Sequence, residues 1–207
     1  MLIVGLTGNA ASGKSSVAQL MAARGATIVD ADVLARIAVE PGSPGLKAIV
    51  EHWGPGILTP DGSLDRETMR HRVFANPKEL EALNAIVHPA VARLRDQAIA
   101  VARTQGARIV ICDIPLLFET GAQDRVDAVV VVTAPAEIQR ARAFQRADMT
   151  DDKFQALLRR QLPDADKRRR ADFVVDTSGG FDSARAQVRA IVEAARALPI
   201  RRRSGGG

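Results

Sequence analysis

The chain has 207 residues, 46% of them hydrophobic and 26% charged, a balance that excludes a disordered chain and leads us to expect one α/β domain with a full core and a small insert. Its 29 basic and 24 acidic residues leave a net charge of +5, too small to demand a nucleic acid and suited to a polyanionic small molecule. With 3% aromatic residues, no tyrosine and one cysteine, platforms for stacking single-stranded bases are scarce and an intrachain disulfide is excluded.

No apolar run reaches the roughly 18 residues of a membrane span, and Met1 to Thr7 lacks the basic start and cleavage site of a signal peptide. The expectation is a cytoplasmic protein, monomeric, with neither membrane nor nucleic-acid partners.

In chain order, the first predicted strand is LIVGL, Leu2 to Leu6. GNAASGKS follows, Gly8 to Ser15, and fits G-x-x-x-x-G-K-S with a strand before it and a helix, Ser12 to Met21, after it. Gly8 and Gly13 permit backbone conformations closed to residues with a Cβ, so successive N–H groups can turn inward around a phosphate. Gly8, Asn9, Ala10, Ala11, Ser12, Gly13, Lys14, Ser15 and Ser16 are therefore the expected ATP site. The helix N-terminus adds positive potential there, Lys14 would reach the β- and γ-phosphates, and the Ser15 hydroxyl would ligate Mg²⁺.

The second predicted strand, TIV at Thr27 to Val29, leads into Asp30 and Asp32. Alternate residues of an extended segment face one way, so both carboxylates could point at the phosphates, one taking the acceptor proton and the other orienting substrate or metal. Either aspartate alone could instead cap a helix over Val33 to Ala38. From about Pro41 to Gly106 the chain is longer than a crossover helix needs and reads as an inserted helical subdomain. Within it Asn76-Pro77 opens a helix striped by Leu80, Leu83, Ile86 and Val87, and Pro89 is expected to break it into two. His88 then sits at the bend, or serves as an acid or base.

The third predicted strand, RIVIC at Arg108 to Cys112, ends at Asp113, where a carboxylate that holds Mg²⁺ normally lies; a turn residue before Pro115 is the alternative. Cys112 reads as a buried strand residue. AVVVVT, Ala128 to Thr133, is the fourth strand, and FVV, Phe173 to Val175, the fifth. These runs lack alternation, so both faces should be buried, as in a mainly parallel five-stranded sheet with helices on each side. Between the last two strands, Glu137 to Ala171 is helical in pattern and rich in arginine, with Thr150 as N-cap before Asp151 and Asp152, and reads as a lid. Arg142 and Arg146 are four apart, so on one helix face they could clamp a phosphate chain or simply be solvated. RRQ at 159–161 and KRRR at 167–170 read as solvated charge, and the closing RRRSGGG as a frayed tail.

GKS with DADVLAR (Asp30 to Arg36), LNAIVHP (Leu83 to Pro89) and DIPLLFE (Asp113 to Glu119), in this order and spacing, resembles the dephospho-coenzyme A kinases over nearly the whole chain. The resemblance implies a P-loop three-layer α/β/α kinase that phosphorylates the ribose 3′-hydroxyl of dephospho-coenzyme A with ATP and Mg²⁺. It makes Asp32 the base, with Lys14, Arg142 and Arg146 completing the expected catalytic set and Ser15 and Asp113 the metal site. Asp32, Arg36, His88, Pro89, Pro115, Leu116, Leu117 and Glu119 become the acceptor site. It also divides the chain into a core of about 1–40 and 107–200, a coenzyme A-binding insert of about 41–106 and a lid of about 137–171. The chain departs from the family pattern where Asn9 and Ala11 replace frequent glycines. It departs again at Ala147, whose usual aspartate is absent or moved to Asp148, and at Asp176-Thr177, which stands where asparagine is common near adenine. Without the resemblance, another small-molecule or nucleotide kinase fits the loop equally well. A nucleotide-dependent switch lacks its NKxD tetrapeptide.

Overall fold

Each of the predicted apolar runs forms a strand: β1 (Leu2–Gly8), β2 (Thr27–Asp30), β3 (Ile109–Asp113), β4 (Ala128–Thr133) and β5 (Phe173–Asp176). The computed structural model describes residues 1–147 and 149–196. The RRRSGGG tail and Asp148 lie outside the described residues. The strands make one sheet in the order β2-β3-β1-β4-β5, with β1 parallel to β3 and β4, and β4 parallel to β5. Every residue of β1, β3 and β4 is buried, which is why these strands show no alternation. Two aspartates just before strands cap the free donors of their neighbours: the Ile3 N–H donates to Asp127 Oδ2 at 2.7 Å and the Val129 N–H to Asp172 Oδ2 at 2.8 Å.

Helices α1 (Lys14–Ala22) and α9 (Gly180–Arg196) bury Val17, Leu20, Met21, Val188 and Val192 with Leu2, Val4, Leu6, Val130 and Val132 of the sheet in one core. Each fully buried Val or Leu contributes about 1.5–3 kcal/mol. Helix α1 starts at Lys14, two residues after the expected start, because Gly13 adopts a left-handed conformation with φ 90°. The lid segment holds three helices rather than the expected two, α6 (Ala136–Phe144), α7 (Asp151–Arg159) and α8 (Asp164–Arg169). Thr150 caps α7 as expected, its hydroxyl accepting from the Lys153 N–H.

The chain divides into two compact units, one of Met1–Val29 with the described residues from Ala102 onward, the other Asp30–Val101. The second unit contains α2 (Ala31–Ile37), α3 (Pro44–Trp53), α4 (Arg66–Ala75) and most of α5 (Pro77–Thr104). It begins earlier than the expected 41 because Ala38 and Val39, which follow α2, are buried with Ile49 and Ile57 in its own core. Its helices start on side-chain caps: Ser43 Oγ accepts from Leu46 N–H, Asp65 Oδ1 from the Glu67 and Thr68 N–H groups, and Asn76 Oδ1 from Lys78 N–H. Pro89 does not break α5, which runs unbroken for 28 residues. An interior proline costs about 3 kcal/mol, and the apolar stripe of Leu83, Ile86, Val87, Ala90, Val91 and Leu94, packed in the second core on both sides of it, offsets that cost.

Candidate active site

The phosphate loop joins β1 to α1, and its two glycines are there for different reasons. A Cβ on Gly8 would lie 2.4 Å from the Val132 carbonyl oxygen and 2.6 Å from Ser12 Oγ, so no side chain fits. Gly13 supplies the left-handed turn into α1, and α1 has no side-chain cap. Its first N–H groups therefore stay open to an anion, reinforced by the helix dipole. Ala11 also takes a positive φ of 59°. It is 8% exposed and packs with Ala143 of α6 and Phe154 of α7, with Ala10, Met149 and Leu158 against them.

The Lys14 ammonium is ion-paired with Asp113 Oδ1 in a site where the lysine side chain is 17% exposed and the carboxylate 5%. Asp113 ends β3 opposite Leu6 of β1, so the parallel sheet itself brings the two together. Ser15 and Ser16 lie exposed in the first turn of α1. The Ser15 hydroxyl and Asp113 carboxylate are hard oxygen donors, which fit Mg²⁺ completed by phosphate and water. Among the described residues no cluster of three or more His, Cys, Asp or Glu could hold a metal by itself.

Arg142 donates from Nη1 to Thr177 Oγ1 at 2.7 Å and from Nη2 to the Thr177 carbonyl at 2.9 Å. Thr177 Oγ1 in turn donates to the Ser12 carbonyl at 2.8 Å. The guanidinium borders the loop, since a methyl on Gly13 would sit 3.4 Å from Arg142 Nη1. Arg146 does not share the helix face of Arg142: α6 ends at Phe144 with Gln145 as C-cap, and Arg146 is exposed in the turn beyond. Asp176 accepts from the Ser178 N–H at 2.8 Å; that bond and the Ser178 side chain hold its carboxyl below the ordinary range. Beside it a cavity of about 390 Å³, bounded by Asn9, Thr133, Pro135, Phe154, Asp164 and Arg168, opens against α6, α7 and α8.

The loop after β3 corrects several expectations. Pro115 accepts the Thr7 hydroxyl on its carbonyl at 3.0 Å, and Leu116 is half-buried. Leu117, expected at the acceptor, is fully buried against Gly5 of β1, where an added Cβ would come within 2.8 Å of it. Glu119, also expected there, accepts the Leu162 N–H at 2.7 Å and lies 2.9 Å from the ammonium of Lys167. Lys167 is not part of a solvated face: its side chain is fully buried, and its Nζ pairs with Glu119 without an aligned hydrogen bond. The spacing of KRRR gave no sign of this, because burial is decided by Glu119, 48 positions away.

In the second unit, Asp30 is extended and caps α2, accepting from the Asp32 N–H at 2.8 Å and the Val33 N–H at 3.2 Å. Asp32 therefore lies in the first turn of α2 and not on an extended segment, so strand alternation does not align the two carboxylates. Asp32 and Arg36 are exposed one turn apart on α2, and His88 and Pro89 are exposed in the middle of α5. Two residues whose side chains hydrogen-bond the backbone of the phosphate loop from outside it, Thr177 and Gln161, carried no sequence signal as structural supports.

A family model described as dephospho-CoA kinase matches residues 2–183. A dephospho-CoA kinase of Rhodopseudomonas palustris is 45% identical over 203 residues, 98% of this chain and all of the relative. Among solved structures, a Thermus thermophilus protein superposes with a TM-score of 0.82 at 33% identity, covering 93% of this chain and 96% of that one. A dephospho-CoA kinase from Campylobacter jejuni shares the fold with a TM-score of 0.69 at 23% identity, covering 94% and 97%.

Proposed function

The chain belongs to the dephospho-CoA kinase family, and from that membership we propose that it transfers the γ-phosphoryl group of ATP to the ribose 3′-hydroxyl of dephospho-CoA, yielding CoA and ADP. The observation that carries the reading at the level of the site is the Lys14–Asp113 pair beside an uncapped helix N-terminus.

The triphosphate tail binds the open N–H groups of α1, and its charge draws Lys14 from Asp113 toward the β- and γ-phosphates. Asp113 and Ser15 would hold Mg²⁺, which when bound neutralises phosphate charge. Asp32 orients the 3′-hydroxyl. As the ribose oxygen bonds to the γ-phosphorus and the bond to the bridging oxygen of ADP breaks, the hydroxyl proton passes to the Asp32 carboxylate. Carboxylates are too weakly basic to ionise an alcohol beforehand, so alignment is the larger contribution. Arg142 and Arg146 stabilise the negative charge on the transferring group, and the lid excludes water.

The unit of Asp30–Val101, with Arg36, His88 and Pro89, takes the coenzyme A portion, helped by Pro115 and Leu116. Among the described residues no helix is long and apolar enough to cross a membrane. A cytoplasmic monomer is part of the same proposal. The test is mass spectrometry of the product formed from ATP and dephospho-CoA, with one phosphate expected at the ribose 3′ position. Phosphorylation of shikimate or nucleoside monophosphates with none of dephospho-CoA would overturn the assignment.

A further inference from the structure

The turn between α7 and α8 is tied down on several sides. The Leu162 N–H donates to Glu119 Oε1 at 2.7 Å, and the same carboxylate faces the buried Lys167 ammonium at 2.9 Å. At the start of α8, Asp164 Oδ2 accepts from the Thr133 hydroxyl at 2.8 Å. From this fixed turn Gln161 reaches the phosphate loop, where its Oε1 accepts the Ala10 N–H at 2.9 Å.

We propose that Gln161 is a positioning residue for ATP, acting through Ala10 to hold the first half of the phosphate loop in its binding shape; this rests on ATP being the phosphoryl donor. The Ala10 N–H is engaged by the amide and so is not offered to phosphate. The second half of the loop has its own support through Thr177 and the Ser12 carbonyl at 2.8 Å. Between the two anchors Ala11 holds a left-handed φ of 59°, a conformation that a residue with a Cβ adopts at a cost. Gln161 thus keeps a loop with few glycines from relaxing away from the shape that binds phosphate. A side chain of equal length with no acceptor leaves the Ala10 N–H without its partner and releases that half of the loop.

The test is Gln161→Met, in the full chain, read by ATP titration without acceptor, steady-state kinetics, amide exchange at Ala10 and thermal melting. ATP affinity is expected to fall about ten-fold, the effect of one lost partner on a part-buried donor. The KM for dephospho-CoA should stay within about two-fold, Ala10 should exchange faster and the melting temperature should be nearly unchanged. Wild-type ATP affinity, unchanged Ala10 exchange, or equal rises in both KM values with a lowered melting temperature would each overturn it. A wild-type chain that fails to bind ATP would do the same. A chain that binds ATP but leaves dephospho-CoA untouched sinks only the acceptor assignment, because the titration needs no acceptor.

Discussion

The Asp30 carboxylate accepts from two N–H groups at the start of α2, so its role there is that of a cap, which stabilises a helix by about 1 kcal/mol. Asp32, in the first turn of the helix, is exposed and is the member of the pair with a carboxylate available to an acceptor. The two should respond differently to substitution. Asp32→Asn keeps size and leaves the Asp30 cap in place, so ATP binding is expected to survive while turnover falls about 10²-fold or more, the scale of a lost proton acceptor. Steady-state kinetics beside an ATP titration checks this, and near-normal turnover removes Asp32 from the role. That Asp30 can cap a helix is legible in the sequence. Its consequence, that a helix already begins at Ala31, is not, because it depends on a hydrogen bond rather than on residue type.

At the scale of elements, α4 offers a pH-dependent case. Its N-cap Asp65 accepts from the Glu67 and Thr68 N–H groups at 3.0 Å each and from the Thr68 hydroxyl at 2.7 Å. The Thr68 hydroxyl and amide hold its carboxyl below the ordinary value of 3.8. A lowered folded-state value means that the charged cap contributes its stability above 3.8 and loses it as pH falls through the folded value. Melting curves of Asp65→Asn and the wild type should therefore differ most near neutral pH and converge in acid; a constant offset across the range contradicts the charged cap. Strands were legible because β1, β3 and β4 are buried throughout and carry few polar residues, and caps such as Asn76 and Thr150 are local signals. Pro89 misled because the α5 stripe buried on both sides of it outweighs one lost hydrogen bond. Arg146 misled because the end of α6 at Phe144 carries no glycine or proline to mark it. Lys167 and Gln161 were illegible for another reason: their partners, Glu119 and Ala10, are distant in sequence.

Across the whole molecule, charge and packing divide along different lines. Arg24, Arg108 and Arg196 surround a cavity of about 430 Å³ at the amino ends of β2 and β3, near the carboxyl ends of α1, α5 and α9, and offset the negative ends of those helix dipoles. The phosphate site at the carboxyl ends of the strands takes its positive potential instead from Lys14, Arg142 and the open start of α1. Packing separates the phosphate loop from the proposed acceptor-binding unit, because Asp30–Val101 has a core of its own around the fully buried Ile49 and Ile57. Ile49→Ala removes buried volume worth about 2–5 kcal/mol from that core alone. Hydrogen exchange is expected to quicken in α3 and α4 while the amides of β1 and β4 keep their protection. If the unit binds the acceptor, the KM for dephospho-CoA rises in this variant and the affinity for ATP does not. Equal loss of protection in β1 and β4 would mean that the two cores unfold as one, and an unchanged KM for dephospho-CoA in a variant with loosened α3 and α4 would remove the second unit from the acceptor site.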